Sequence, residues 1–252
     1  MTVQLALTPD NRWDFTTGEL VSAASAAGFA AAGINADRVD ATAVDSYAAS
    51  GLRCHEVLAL VASDDESATL TAAEQLADRA QSMRAEWVLT VFNATPRAVA
   101  IQHCAKVFGD AGVAMAVEFS PLGPVATVND GMEVVRAAQV RGRAGLMIDS
   151  WHFSFGESTW EDLATVPLDD IAYVQFTDAL EPESRERLVR ETLHRRALPG
   201  EGVLDLHRFA ATLLERGWDG LVSVEVLSAD LRDVPVVELT RRLHDASAPY
   251  WR

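Results

Sequence analysis

Four residues able to hold a cation or move a proton stand near the ends of four successive β-like runs. Glu118 ends Val113-Ala-Met-Ala-Val-Glu, Asp149 ends Gly145-Leu-Met-Ile-Asp, Gln175 lies in Ile171-Ala-Tyr-Val-Gln-Phe, and Glu225 lies in Leu221-Val-Ser-Val-Glu-Val. Side chains alternate along a strand, so Val113, Met115 and Val117 share one face while Ala114, Ala116 and Glu118 share the other. In the same way Leu146 and Ile148 oppose Asp149, Val174 opposes Gln175, and Val222, Val224 and Val226 oppose Glu225. Strand faces packed under helices are apolar, so the four polar residues point into a common interior. Three carboxylates gathered there repel one another at a cost of several kcal/mol unless neutralised. For any single carboxylate, a helix cap or an arginine partner is the plain structural reading. Recurrence over four consecutive runs weighs toward one bound divalent ion. An all-oxygen donor set suits Mg²⁺ or Mn²⁺, with Co²⁺ or Zn²⁺ as substitutes.

The elements that must position these residues alternate from end to end. Strands are predicted at Val3–Leu7, Phe29–Ile34, Val57–Ala62, Trp87–Phe92, Val113–Phe119, Gly145–Asp149, Ile171–Phe176 and Leu221–Val226. Helices are predicted at Thr17–Ala27, Ala41–Ser50, Thr71–Arg84 (opened by the capping-box pattern Thr71-Ala-Ala-Glu74), Pro96–Phe108, Asp130–Val140, Thr159–Thr165, Leu206–Arg216 and Val234–Asp245. Repeated β-then-α units with short connections imply parallel strands, each helix being a crossover. An open doubly wound sheet is disfavoured, because Thr8-Pro-Asp-Asn11 stands where a Gly-rich fingerprint would follow the first strand. The reading is α/β, a single (β/α)8 barrel spanning residues 1–252 as one domain. Between the seventh strand and the helix at Leu206 lies a long insertion, Asp178 to Leu204, whose charged stretch Glu183–Arg196 reads as a helix with Leu188 and Leu193 available for packing. A solvated surface helix and a lid over the mouth both fit it.

Composition narrows the partners. With 21 Lys+Arg against 37 Asp+Glu the net charge is −16, which argues against a nucleic-acid surface. The 49% of hydrophobic residues is enough for a large core. Met1–Leu7 lacks the basic and apolar regions of a signal peptide, and no apolar run is long enough to span a membrane. The expectation is a cytoplasmic protein with a small-molecule substrate, no membrane partner, and homo-oligomerisation left open. Cys54 and Cys104 form no CxxC and suggest neither a disulfide framework nor a zinc–thiolate site.

Five segments carry a family likeness: Val117-Glu-Phe-Ser-Pro, Ile148-Asp-Ser-Trp-His-Phe, Val174-Gln-Phe-Thr-Asp178, Arg196-Ala-Leu-Pro-Gly-Glu-Gly202 and Val224-Glu-Val-Leu-Ser. Through them the chain resembles the xylose isomerase-like TIM barrels, the sugar phosphate isomerase/epimerase family with its dehydroshikimate and inosose dehydratase relatives. The likeness spans nearly the whole chain and is strongest after Val113. It implies that Glu118, Asp149, Gln175 and Glu225 hold the metal, that His152 binds a substrate oxygen, and that Arg196 anchors a substrate oxygen or carboxylate. Many members carry His where this chain has Gln175, which leaves metal identity open. Glu201 reads as a loop-fixing residue. Asp178 reads either as an orienter of Arg196 or Gln175 or as a plain loop hydrogen-bonder. His55, His103, His207 and His244 receive no role, and His194 has only its nearness to Arg196.

The chemistry implied is proton abstraction beside a carbonyl, by a divalent-metal-dependent isomerase or epimerase acting on a keto-sugar or related polyhydroxy ketone through a metal-stabilised enediolate. Glu118 and Glu225 are the acid and base. A dehydratase acting on 3-dehydroshikimate or an inosose is the alternative, toward which Gln175 and Gln-Phe-Thr-Asp lean. An endonuclease of the same fold needs extra histidines where Gly33-Ile-Asn35 and Ala62-Ser-Asp64 stand. Retention of both glutamates speaks against a non-catalytic binding module. No Gly-rich phosphate cradle follows the seventh or eighth strand.

Overall fold

The computed structural model describes residues 3–252; Met1 and Thr2, part of the segment read for a signal peptide, lie outside the described residues. Its strands are β1 (Gln4–Leu7), β2 (Ala31–Asn35), β3 (Arg53–Ala62), β4 (Trp87–Phe92), β5 (Ala114–Glu118), β6 (Ala144–Asp149), β7 (Ile171–Phe176), β8 (Asp178–Ala179), β9 (Arg196–Ala197) and β10 (Leu221–Val224). All but β8 and β9 are parallel and close a barrel in the order β1-β10-β7-β6-β5-β4-β3-β2. The helices are α1 (Thr17–Ala27), α2 (Ala41–Ser50), α3 (Glu66–Met83), α4 (Ala98–Asp110), α5 (Val128–Gln139), α6 (Ser150–Phe155), α7 (Trp160–Thr165), α8 (Leu188–His194), α9 (Leu206–Leu214) and α10 (Val236–Ser247). The molecule is a single (β/α)8 TIM barrel.

Alternation along the strands divides the core in two. Met115, Val117, Leu146, Ile148, Val174, Phe176, Val222 and Val224 belong to the layer between barrel and helices. Leu89, Ala116, Met147 and Tyr173 form a separate cluster inside the barrel. That inner cluster fills the barrel below the mouth, as packed layers do in this architecture. Burial of each large apolar side chain contributes roughly 1.5–3 kcal/mol.

Several boundaries differ from the sequence reading. Helix α3 starts one turn early, because the Asp65 side chain accepts from Ala68 N at 2.9 Å and caps it there, leaving Thr71–Glu74 inside. Helix α4 begins after Pro96, at Ala98, with Arg97 as its cap residue. Helix α6 was not foreseen; it directly follows β6, capped by Asp149 itself. The charged stretch Glu183–Arg196 is helical only over Leu188–His194, preceded by a 3-10 turn at Arg185–Arg187. Its buried face is Glu191 and Thr192, while Leu188 is only half-buried and Leu193 is 38% exposed. No described helix is long and apolar enough to cross a membrane.

Candidate active site at the barrel mouth

The strand register brings the four sequence-marked residues to one end of the barrel. Glu118 ends β5 and Asp149 ends β6, where it pairs in register with Gln175 of β7. Gln175 pairs in turn with Ser223 of β10, and two residues further Glu225 N donates to the Phe176 carbonyl at 3.2 Å. Two cationic or potentially cationic side chains then link the carboxylates. His152 Nε2 lies 2.8 Å from Glu118 Oε1 and 3.7 Å from Asp149 Oδ2. Arg196 Nη1 donates to Asp149 Oδ2 at 2.8 Å and lies 3.0 Å from Glu225 Oε2. Asp149 is wholly buried, whereas the side chains of Glu118 and Glu225 keep 13% and 12% exposure. The two glutamates are therefore the carboxylates that a molecule entering the mouth can touch.

Local structure explains these positions. The other Asp149 oxygen accepts from Trp151 N at 2.6 Å and His152 N at 3.4 Å, so the cap of α6 sets where His152 points. His152 Nδ1 is 3.2 Å from Ser120 Oγ, in the loop after β5. Arg196 is 2% exposed. Its Nε donates to the Thr192 carbonyl at 3.1 Å, its Nη2 to Thr192 Oγ1 at 3.0 Å, and its guanidinium lies 5.7 Å from the Trp151 ring centroid. Strand β9, which carries it, pairs antiparallel with β8. Asp178 of β8 collects four backbone N–H groups: Ala179 at 2.8 Å, and Gly200, Gly202 and Leu204 each at 3.0 Å. Of the two readings left open for Asp178, loop hydrogen bonding is the one seen, and Glu201 is exposed. A Cβ on Gly202 would sit 2.4 Å from Asp178 Oδ1, so glycine is what lets the turn close on that carboxylate.

The charges are unequal in consequence. Burial pushes Asp149 upward, but Arg196 and His152, with the hydrogen bonds from the Arg196 guanidinium and Trp151 N, together outweigh it and hold the carboxyl below its ordinary range. For Glu225, burial, reinforced by Asp149, Glu118 and Glu56 against the pull of Arg196, pushes the carboxyl up to about 8.

One buried group escaped the sequence reading. Glu56 of β3 is fully buried inside the barrel, accepting hydrogen bonds from Thr8 Oγ1 and Tyr173 Oη, with His55 Nε2 3.1 Å from its Oε1. Thr8 Oγ1 also lies 2.6 Å from Ser223 Oγ. Burial pushes this carboxyl up, and His55, Thr8 and Tyr173 more than reverse it, leaving it lowered. Gly33 makes the room: a Cβ there would lie 2.7 Å from Glu56 Oε1. The signal available in sequence was the polar pair His55-Glu56 beside an apolar run.

The donor set fits a divalent cation in kind. Two of its carboxylates already converge on one positive centre, Arg196 Nη1, and the Gln175 side chain is buried with its amide nitrogen unpartnered. Among the described residues no group of three or more His, Cys, Asp or Glu side chains is gathered as a metal cluster. Glu118 turns instead to His152, while Arg196 bridges Asp149 and Glu225.

Comparison with known proteins agrees with this architecture. The profile of the xylose isomerase-like TIM barrel family matches residues 19–246. A 3-dehydroshikimate dehydratase of Pseudomonas aeruginosa is 31% identical over 111 residues, covering 44% of this chain and 17% of that protein. An inosose isomerase of Halalkalibacterium halodurans is 29% identical over 138 residues, covering 54% of this chain and 47% of that protein. The match thus spans less than half the length of either relative. In fold, the chain resembles the solved structure of the IOLI protein with a binding zinc atom, at a TM-score of 0.81 and 18% identity over 98% of both chains.

Proposed function

The chain belongs to the xylose isomerase-like TIM barrel family, and from that premise we propose that it is an isomerase or epimerase of a keto-sugar or related polyhydroxy ketone, dependent on one divalent ion. The observation that carries this reading is the row Glu118–His152–Asp149–Arg196–Glu225, in which carboxylates alternate with a histidine and an arginine across the mouth of the barrel. Glu118, Asp149, Gln175 and Glu225 would hold the ion, Mg²⁺ or Mn²⁺ by donor type. When bound, it supplies Lewis-acid polarisation of a substrate carbonyl and stabilisation of the charge that develops there.

The remaining work falls to the side chains. Glu118 and Glu225, the two partly exposed carboxylates, remove the proton beside the carbonyl and return it. Return to the neighbouring carbon gives an isomer; return to the opposite face of the same carbon gives an epimer. His152 and Arg196 bind substrate oxygens, each oriented by the carboxylate it touches: Glu118 for His152, Asp149 and Glu225 for Arg196. Dehydration is a second reading. It is favoured by the 31% identity with the 3-dehydroshikimate dehydratase over 111 residues, and it uses the same proton abstraction with loss of a β-hydroxyl as water.

The test is NMR in D₂O with Mg²⁺- or Zn²⁺-loaded protein and a panel of ketoses, inososes and 3-dehydroshikimate. Exchange of an α-proton on any of them supports the reading. Product retaining the hydroxyls marks isomerisation or epimerisation, and an unsaturated product marks dehydration. Absence of exchange throughout, with metal binding demonstrated by calorimetry, refutes it.

A further inference from the structure

The mouth of the barrel has a second half, and its chemistry differs from the first. In β4 and β5, Thr90 pairs in register with Val117, so the residues that follow, Val91 and Glu118, stand side by side. Val91 shares the inner face with Leu89 and packs against the interior cluster of Leu89, Ala116, Met147 and Tyr173, as do Leu58 and Ala59 of β3. Val61 pairs with Val91 and is 47% exposed. The loop after β5 continues the same surface. Gly123 lies so close to the end of β4 that a Cβ on it would be 2.7 Å from the Phe92 carbonyl. Beside it Leu122 is 43% exposed, two residues from the Ser120 that touches His152. The rim therefore runs from carboxylates at β5, β6 and β10 into aliphatic side chains at β3, β4 and the β5 loop.

Exposed aliphatic side chains next to a polar site set what can lie against them. A hydroxyl pressed onto Val61, Val91 or Leu122 gives up its water and gains no hydrogen bond from those three side chains. A C–H face loses nothing by the same contact and is favoured by burial. We propose that Val61, Val91 and Leu122 form an aliphatic wall facing the carboxylates. The wall selects substrates that present hydroxyl and carbonyl oxygens on one side and C–H groups on the other: carbocyclic or deoxygenated hydroxyketones rather than fully hydroxylated open-chain ketoses. This deepens the proton-transfer reading and rests on it for the identity of the polar half. The wall itself rests only on the placement of the three residues.

The test separates the two. Exchange in D₂O is measured by NMR on 2-hydroxycyclohexanone and on D-fructose with Mg²⁺-loaded protein. Equilibrium binding of cis-1,2-cyclohexanediol and of D-sorbitol is measured by calorimetry on the same samples. The wall gives the carbocycle an advantage of roughly 10- to 100-fold in both experiments, the range an apolar pocket achieves against an added hydroxyl. Val61→Asn, at a half-exposed position that tolerates a polar residue, and the near-isosteric Val91→Thr each narrow that advantage, with unchanged melting temperature as the control for folding. Equal or reversed preference in the wild type, or a ratio unmoved in both variants, overturns the wall. Absence of exchange on both ketones and on the inososes and 3-dehydroshikimate of the wider panel, with the diol preference intact, overturns the proton-transfer reading and leaves the wall standing.

Discussion

Replacing Arg196 by Met tests whether the guanidinium and a metal ion share the same carboxylates. Arg196 is 2% exposed, with Nη1 2.8 Å from Asp149 Oδ2 and 3.0 Å from Glu225 Oε2. Met fills a similar volume without charge, so the loss is electrostatic rather than a cavity. Removing one partner of a buried ion pair costs about 3–5 kcal/mol, because the remaining charge is left uncompensated. Glu225 can relieve part of this by keeping its proton, since burial already pushes it up to about 8, so the lower end applies. For a chain of 252 residues, ~3 kcal/mol corresponds to a fall in melting temperature of roughly 6–12 °C. The assay is thermal unfolding in EDTA and in rising Mn²⁺. A ligand at 100 times its Kd returns about 2.7 kcal/mol, so Mn²⁺ restores most of the loss in the variant. In the wild type, where Arg196 already supplies the positive charge, the Mn²⁺ shift is smaller. A variant melting within experimental error of wild type in EDTA would refute the ion-pair argument. Equal Mn²⁺ shifts in the two proteins would show that ion and guanidinium do not compete.

Three further outcomes follow from the same geometry. Glu118→Gln and Glu225→Gln each lower turnover by about 10²–10⁴-fold, the range for a lost acid or base; recovery at saturating Mn²⁺ in both would reduce them to plain ligands. Glu56 has a carboxyl lowered from 4.5 by His55, Thr8 and Tyr173, so its contribution to stability is complete above pH 4.5 and is lost as pH falls through the lower folded-state value. Urea unfolding should accordingly show the gap between wild type and Glu56→Gln closing on acidification, and a gap constant with pH would contradict it. Gly33→Ala, whose Cβ would meet Glu56 Oε1 at 2.7 Å, destabilises by about 1–3 kcal/mol; chemical denaturation should show the loss shrinking in the Gly33→Ala/Glu56→Ala double variant.

Strand alternation made the barrel and the polar arc legible. Each of Glu118, Asp149, Gln175 and Glu225 lies opposite apolar residues that the structure packs under helices, such as Val117, Ile148, Val174 and Val224. What stayed hidden depended on distant partners. Glu56 looks misplaced until Thr8 and Tyr173, 48 and 117 residues away, close around it. The strand that carries it also starts at Arg53 rather than Val57, with a register shift between Val57 and Leu60. Helix α6 is too short for an apolar period to reveal, and only Asp149 ahead of Trp151 and His152 hints at it as a cap.

The position of Arg196 shows why the insertion could not be read from its charge pattern. Two-residue strands such as β8 and β9 have little stability of their own. What holds them is Asp178, whose carboxylate gathers N–H groups from Ala179, Gly200, Gly202 and Leu204 and so ties the Pro199-Gly-Glu-Gly202 turn to β8. The short helix α8 then serves through Thr192, which receives the Arg196 guanidinium at its hydroxyl and its carbonyl. Thr192 is therefore turned inward, beside Glu191, which accepts from Arg195 Nε at 2.8 Å. A charged segment whose sequence fits either a solvated helix or a lid is, in the fold, the scaffold of one buried cation. Asp178 and Thr192 thereby reach the carboxylates of the mouth through Arg196 without touching them.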